Sequence, residues 1–350
     1  MSENAQEGVR NQIREIFGVQ RIDFEAKYLG LPTPMGRLKR GVFQPLEERF
    51  HKRMTVWKEK ELSVARKEVL IKSVAQALPN YVMSVFKLLV TLYDNLMKHI
   101  RAYWWGSENG RRKVQWVPWE RMIMPKGFGG MGFRDLRLVN QALLARQAWW
   151  LIFYPESLCV RVLKAKYFPQ GNLLDTVPAG DASPSWRGIE HGLALLKQGA
   201  IYRVGDGKSI CIWRDNWIPR DHGLKPVGSV RHCRLRWVSH LIDVQSGSWD
   251  ETPVRRYFYA CDVEEILKIK IHHNACPDQV AWNFEKTGIF PVRSAYRLAM
   301  RREHGEGEID SSSTPADGRK VWKTLWSLNV PEKNQSFRVE NCQQWDSYSS

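Results

Sequence analysis

The sequence predicts a mainly α chain with small β-hairpins, an α+β fold in which a basic helical bundle precedes a mixed region of helices and hairpins. Three observations carry this. Apolar residues recur at three- and four-residue spacing through the first half, the period of one helix face. Short alternating runs beside Asp206-Gly207 and Thr287-Gly288 occur only later. The charge is lopsided: residues 1–175 carry 29 basic and 16 acidic side chains, net +13, and residues 176–350 carry 24 and 21, net +3.

The elements follow in chain order. Tyr28-Leu29-Gly30-Leu31-Pro32-Thr33-Pro34 reads as a short extended piece, because each proline pushes the residue before it out of the helical region. Phe43, Leu46, Phe50, Met54 and Trp57 form one apolar stripe of a first helix, with Arg49, Lys52, Arg53 and Lys60 off it. Ser63 is placed to cap a second helix that runs through Val64, Ile71, Val74 and Leu78 to the stop at Pro79. A third spans Leu92 to Trp105 with Leu92, Leu96, Ile100 and Tyr103 inward. Gly127–Gly132 is a glycine-rich turn, and helices over 136–153 and 157–167 follow. A helix over 184–198 starts at Ser183 or Ser185, with Gly199 as its C′ residue. Residues 201–213 are expected to form one hairpin and 279–292 a second, followed by a helix over 292–302. Residues 304–318 have the composition of a flexible linker.

A length of 350 residues suggests two or three units, and 43 % hydrophobic residues suffice for a sizeable core. The six cysteines, at 159, 211, 233, 261, 276 and 342, include no Cys-x-x-Cys pair, which favours a reducing, intracellular compartment over a secreted disulfide scaffold. The polar, acidic start is neither a secretory signal nor an Arg-rich transit peptide. The most apolar stretches are interrupted by Lys87 and Arg146, so no membrane span and no membrane partner are expected.

The residues supply little catalytic machinery. Gly127-Phe-Gly129-Gly130-Met-Gly132 satisfies G-x-G-x-x-G, but a Pro and a Lys stand where the buried strand of a dinucleotide site should be. Cys261, His272, His273 and Cys276 are not two close ligand pairs, so no zinc is expected. Two-cation nucleotidyl transfer needs clustered carboxylates, and the chain has no Asp-Asp pair; no G-x-S-x-G is present either. No catalytic residue, cofactor or metal is assigned. The binding candidates are Arg49, Lys52, Arg53, Lys60 and the run Arg111, Arg112, Lys113, which lies in a polar turn between the Trp104-Trp105 and Trp116/Trp119 pairs. Arg and Lys neutralise phosphate, and a tryptophan face stacks on a base, but adjacent Trp104 and Trp105 point about 100° apart on a helix, so core burial accounts for most of the tryptophans.

These residues also carry a family resemblance. Lys27-Tyr-Leu-Gly-Leu-Pro32, Trp57-Lys58 with Leu62-Ser63, Lys67-Glu-Val-Leu-Ile-Lys-Ser-Val74, Leu78-Pro-Asn-Tyr-Val-Met-Ser84, Trp104-Trp-Gly106, Trp116-Val-Pro-Trp119, Gly129-Gly-Met-Gly-Phe-Arg-Asp-Leu136, Asn140-Gln-Ala-Leu-Leu-Ala145, Tyr167-Phe-Pro169, Val204-Gly-Asp-Gly207 and Trp213-Arg-Asp-Asn-Trp217 occur in order. Over about residues 13–333 the chain resembles the C-terminal part of plant LINE-type (non-LTR) retrotransposon reverse transcriptases. Its middle also resembles plant open reading frames described as uncharacterized mitochondrial proteins. The resemblance implies a post-palm segment at 1–37, a basic helical thumb-like region at 38–126, a linker region at 127–218, the start of a zinc-binding-like segment at 219–303, a flexible linker at 304–318, and a truncated zinc-binding-like segment with a divergent tail at 319–350.

The family's catalytic Tyr-x-Asp-Asp motif has no counterpart in this sequence. The resemblance therefore implies a catalytically incomplete part of an RNA-directed DNA polymerase, binding RNA, DNA or an RNA–DNA hybrid through the thumb-like region. A separate palm-containing reverse transcriptase polypeptide is a possible partner. The competing expectation is a domesticated or non-functional open reading frame acting, if at all, as a protein-interaction module. Retrotransposition implies the nucleus more than the mitochondrion. Two departures from the family stand out: Arg66, where a Gly is usual, and the loss of pattern after Lys333, with Cys342 the one cysteine there.

Overall fold

In the computed structural model, the described residues are 7–17, 27–33, 40–60, 62–108, 111–112, 115, 117–243, 246–271 and 276–304. Within them the chain is mainly helical, with four two-stranded antiparallel sheets. The helices are α1 (Glu7–Phe17), α2 (Gln44–Lys58), α3 (Val64–Leu70), α4 (Asn80–Met83), α5 (Val90–Trp105), α6 (Trp119–Ile123), α7 (Leu136–Phe153), α8 (Leu158–Tyr167), α9 (Pro184–Gly199), α10 (Glu251–Tyr257), α11 (Ala260–Lys268) and α12 (Val292–His304). The strands pair as β1 (Lys27–Tyr28) with β2 (Leu31–Pro32), β3 (Ser107–Glu108) with β4 (Arg111–Arg112), β5 (Ala200–Arg203) with β8 (Gln279–Trp282), and β6 (Ile242–Asp243) with β7 (Ser248–Trp249).

The first bundle follows the periodicity. Phe43, Leu46, Phe50, Met54 and Trp57 are all buried, as are Leu92, Leu96, Ile100 and Tyr103 of α5. Asn95 donates to Glu47, His51 meets His99, and Trp57 lies against Tyr103, so α2 and α5 run side by side in the same direction. Ser63 caps α3, accepting from the Arg66 amide. The second helix is not continuous: α3 gives way to a π-turn over Ile71–Ala75, in which Gln76 N donates to Ile71 O. The extra residue turns Gln76 inward, where its Nε2 donates to Arg134 O.

α7 is the hub, packing on α4, α5, α9 and α12. Asn140, fully buried, accepts from Leu88 N at 3.1 Å and from the Tyr93 hydroxyl, and donates to the carbonyls of Met83 and Phe86. α9 crosses α7 with its backbone nearly touching. A Cβ on Gly192 would stand 2.2 Å from the Leu144 carbonyl carbon, so only glycine permits this approach. α12 is pinned to the start of α7 by Asp135 N donating to the Tyr296 hydroxyl. One apolar core runs from Phe43 to Met300, and a second gathers Val204 to Ile266 around Trp217 and Phe258.

Three local expectations are corrected. The segment 201–213 is not a hairpin: β5 pairs with β8, about eighty residues on, and Cys211 bridges Trp237. The Asp278 carboxylate accepts from the amides of Gly205, Gly207 and Ser209, so the glycine loop closes around a side chain instead of returning as a ladder. The 279–292 segment turns at Glu285–Gly288, but its strand pairs with β5. Gly199 is the last residue of α9 and not a left-handed C′; a Cβ there would meet the Trp282 ring at 2.4 Å. His304 closes α12, and the rest of the expected linker lies outside the described residues.

Candidate nucleic-acid interface

Arg49, Lys52 and Arg53 stand at i, i+3 and i+4 on α2, on a face about a quarter-turn from the buried stripe. All three are exposed, as is Lys60 just past the helix end, and none forms an ion pair with a described residue. Because α2 and α5 are parallel, Lys60 sits at the end of the bundle from which the β3–β4 hairpin leaves. Arg111 and Arg112 form β4, with Ser107 opposite Arg112 and Glu108 opposite Arg111, so these two stand in a strand where a turn was expected. Lys113 and Trp116 lie outside the described residues. Trp104 and Trp119 are core: both pack on Phe133, edge-on at 5.2 Å and stacked at 5.4 Å.

Sequence reading missed a second cationic group, because its members are far apart in the chain. Glu68 Oε1 lies 2.6 Å from Lys72 Nζ and 3.0 Å from Lys126 Nζ. Burial lowers the Lys72 pKa, and the charges of Lys126 and Arg134 push the same way while Glu68 opposes them. Two lysines thus share one carboxylate, with Arg134 near enough to act on Lys72. Lys67 adds another over the Tyr103 ring. On the other side of α2, His51 Nδ1 and His99 Nδ1 are 3.4 Å apart in a groove of about 390 Å³ that Lys58 and Lys98 also line. Burial, then His51, depress the His99 pKa.

The glycine turn is structural. Among the described residues no strand leads directly into it, and a Cβ on Gly130 would stand 2.0 Å from the Met124 carbonyl oxygen. Cys261 and Cys276 are exposed, whereas His272 and His273 lie outside the described residues. Among the described residues no three His, Cys, Asp or Glu side chains converge as a metal site, and no helix is long and apolar enough to cross a membrane.

Comparison with known proteins adds homology to this geometry. The chain is 39 % identical over 152 residues to the uncharacterized mitochondrial protein AtMg00310 of Arabidopsis thaliana, covering 99 % of that protein and 43 % of this chain. The chain belongs to the AtMg00310 family. Over 318 residues, 88 % of its length, it is also 28 % identical to At1g65750 of Arabidopsis thaliana, a protein provisionally named a ribonuclease H protein. It spans about half of that relative, 49 %. No family model matches the chain.

Proposed function

We propose that this member of the AtMg00310 family derives from a LINE-type retrotransposon, that it corresponds to the thumb and linker of a reverse transcriptase, and that it binds RNA–DNA hybrid or a related duplex without sequence preference. The observation that carries the reading is the face of α2: Arg49, Lys52 and Arg53 are exposed, aligned, and without a carboxylate partner among the described residues. Cations in this state hold phosphates and register duplex shape, not base identity. The net +13 of residues 1–175 supports the same reading. Polymerase chemistry is not assigned to this chain, which holds no Asp-Asp pair to carry two cations.

The test is a titration of the full chain against a short RNA–DNA hybrid at several salt concentrations. If roughly four to six phosphates are neutralised, log K falls with log[salt] at a slope of about −3 to −5. Converting Arg49, Lys52 and Arg53 together to Ala flattens that slope by up to ~3 if all three touch phosphate. Absence of binding at low salt, or a slope unmoved by the triple substitution, removes this face from the interface.

A further inference from the structure

We propose that the exposed aromatic surface at the end of α7 is a stacking platform for single-stranded nucleic acid, a second site distinct from the α2 face. Trp150, Phe153 and Tyr154 are 40 %, 49 % and 55 % exposed, an unusual concentration of open rings on the last turns of one helix. They are held, not loose. Trp150 and Tyr154, one turn apart, lie 5.0 Å between ring centroids. Phe153 leans on Trp149 at 4.7 Å, and Trp149 stacks on buried Phe290, which ties the surface to the core. Neither the Trp150 indole N–H nor the Tyr154 hydroxyl has a partner among the described residues.

Charge decides the occupant. Near the platform the cations are Arg146, Arg161, Lys164 and Lys166 against one exposed acid, Glu156 in the connecting turn; Arg137, at the start of α7, is paired with Asp135 and takes no part. Arg146 stands one turn before Trp150 on the same face, and α8, with Arg161 and Lys164, leaves directly from the platform through the Tyr154–Ser157 turn. Aromatic faces beside a cationic track suit a polyanion that offers unstacked bases. A duplex, whose bases are already stacked, presents none. The platform rests on the reading of the chain as a nucleic-acid binder but not on α2.

The experiment measures the full chain, wild type and the double variant Trp150→Ala/Tyr154→Ala, against a single-stranded oligonucleotide and against the RNA–DNA hybrid. Stacking is worth ~1–3 kcal/mol per base, so the double variant binds the single strand at least tenfold more weakly and the hybrid equally well. Trp150→Phe/Tyr154→Phe, which keeps the rings, retains single-strand binding. Arg146→Ala/Arg161→Ala flattens the single-strand salt slope by about 1.4 if each contacts a phosphate. Loss of hybrid binding in the α2 triple variant with single-strand binding intact separates the two sites, and failure of the wild type to bind hybrid while it binds the single strand refutes the α2 reading alone. The platform is overturned if single-strand affinity is unchanged in the double variant. It is equally overturned if the double variant instead breaks a self-associated species, which would make the surface a protein contact.

Discussion

Asn140 is the position where one substitution should cost most. It is fully buried, and all its hydrogen-bonding capacity is used: two donors reach its Oδ1, from Leu88 N and Tyr93 Oη, and its Nδ2 serves the Met83 and Phe86 carbonyls. Asn140→Ala strands two buried donors, at ~1–3 kcal/mol each, and opens a small polar cavity. A water entering that cavity recovers part of the loss. The expected destabilisation is therefore about 4 kcal/mol, well beyond the ~1 kcal/mol of an average substitution. Urea unfolding followed by far-UV circular dichroism measures it. Tyr93→Phe removes one of the donors and should cost about 1 kcal/mol, and the double variant should cost less than the sum, since the two share a bond. Asn140→Asp keeps the acceptor but turns a carboxylate oxygen toward two carbonyls, so it favours the protonated form; this variant is relatively more stable at acid pH and loses stability as pH rises through the carboxyl pKa. A loss below about 1 kcal/mol for Asn140→Ala would refute the argument that this residue joins α7 to α4 and α5.

Three further outcomes follow from the structure. Burial, with help from Lys87, pushes the His191 pKa down to about 4, so the unfolded chain takes up its proton first; stability falls as pH drops from 6.5 toward 4, by about 2 kcal/mol after discounting partial exposure, and His191→Gln should flatten the pH profile of the urea midpoint. Gly199→Ala drives a methyl into the Trp282 ring, which is held by its N–H bond to Ser294 Oγ at 2.7 Å, and should cost about 1–2 kcal/mol; an unchanged midpoint would mean the ring can retreat. Arg49→Glu should raise thermal stability slightly while weakening hybrid binding, and a fall in both would mark the α2 face as structural.

Helices that bury a periodic stripe were legible from the sequence. The stripe through Phe43, Phe50 and Trp57, the Ser63 cap, the choice of Ser183 or Ser185 that Ser183 settles and the limits of α7 all follow from local chemistry that needs no distant partner. The extended piece at β1–β2 and the starts of β5 and β8 were legible, but their pairing was not, because β5 finds its partner in β8, about eighty residues on, and the Asp206-Gly207 signal is captured by Asp278, about seventy residues away. Gly199 illustrates the same limit: a glycine after a helix reads as a C′ residue, yet the indole of Trp282 is what excludes a side chain there. At the candidate interface, Arg49, Lys52 and Arg53 could be read from their position off the stripe. The pair Lys72 and Lys126 on Glu68, with Arg134 acting on Lys72, could not, since only the fold brings α3 and the glycine turn together.

The charge pattern of the helices is informative because it is uneven. Some cations are paired within a turn: Lys72 with Glu68, Arg255 with Glu251, Lys268 with Glu265. On α2 the reverse holds. Arg49 and Arg53 are like charges at i, i+4 and Lys52 lies between them, an arrangement that costs a helix ~0.2–0.5 kcal/mol per pair. Glu48, the one acid placed to offset Lys52, instead accepts from Gln44. Like charges clustered at i, i+3 and i+4 with no offsetting acid fit an external anion, which would relieve the repulsion on binding. That is why Arg49→Glu separates the readings: the introduced carboxylate stands one turn before Arg53, the preferred order of acid then base, and the phosphate site loses a cation. A surface kept only for solubility would change in stability alone, and a binding surface changes in both, with opposite signs.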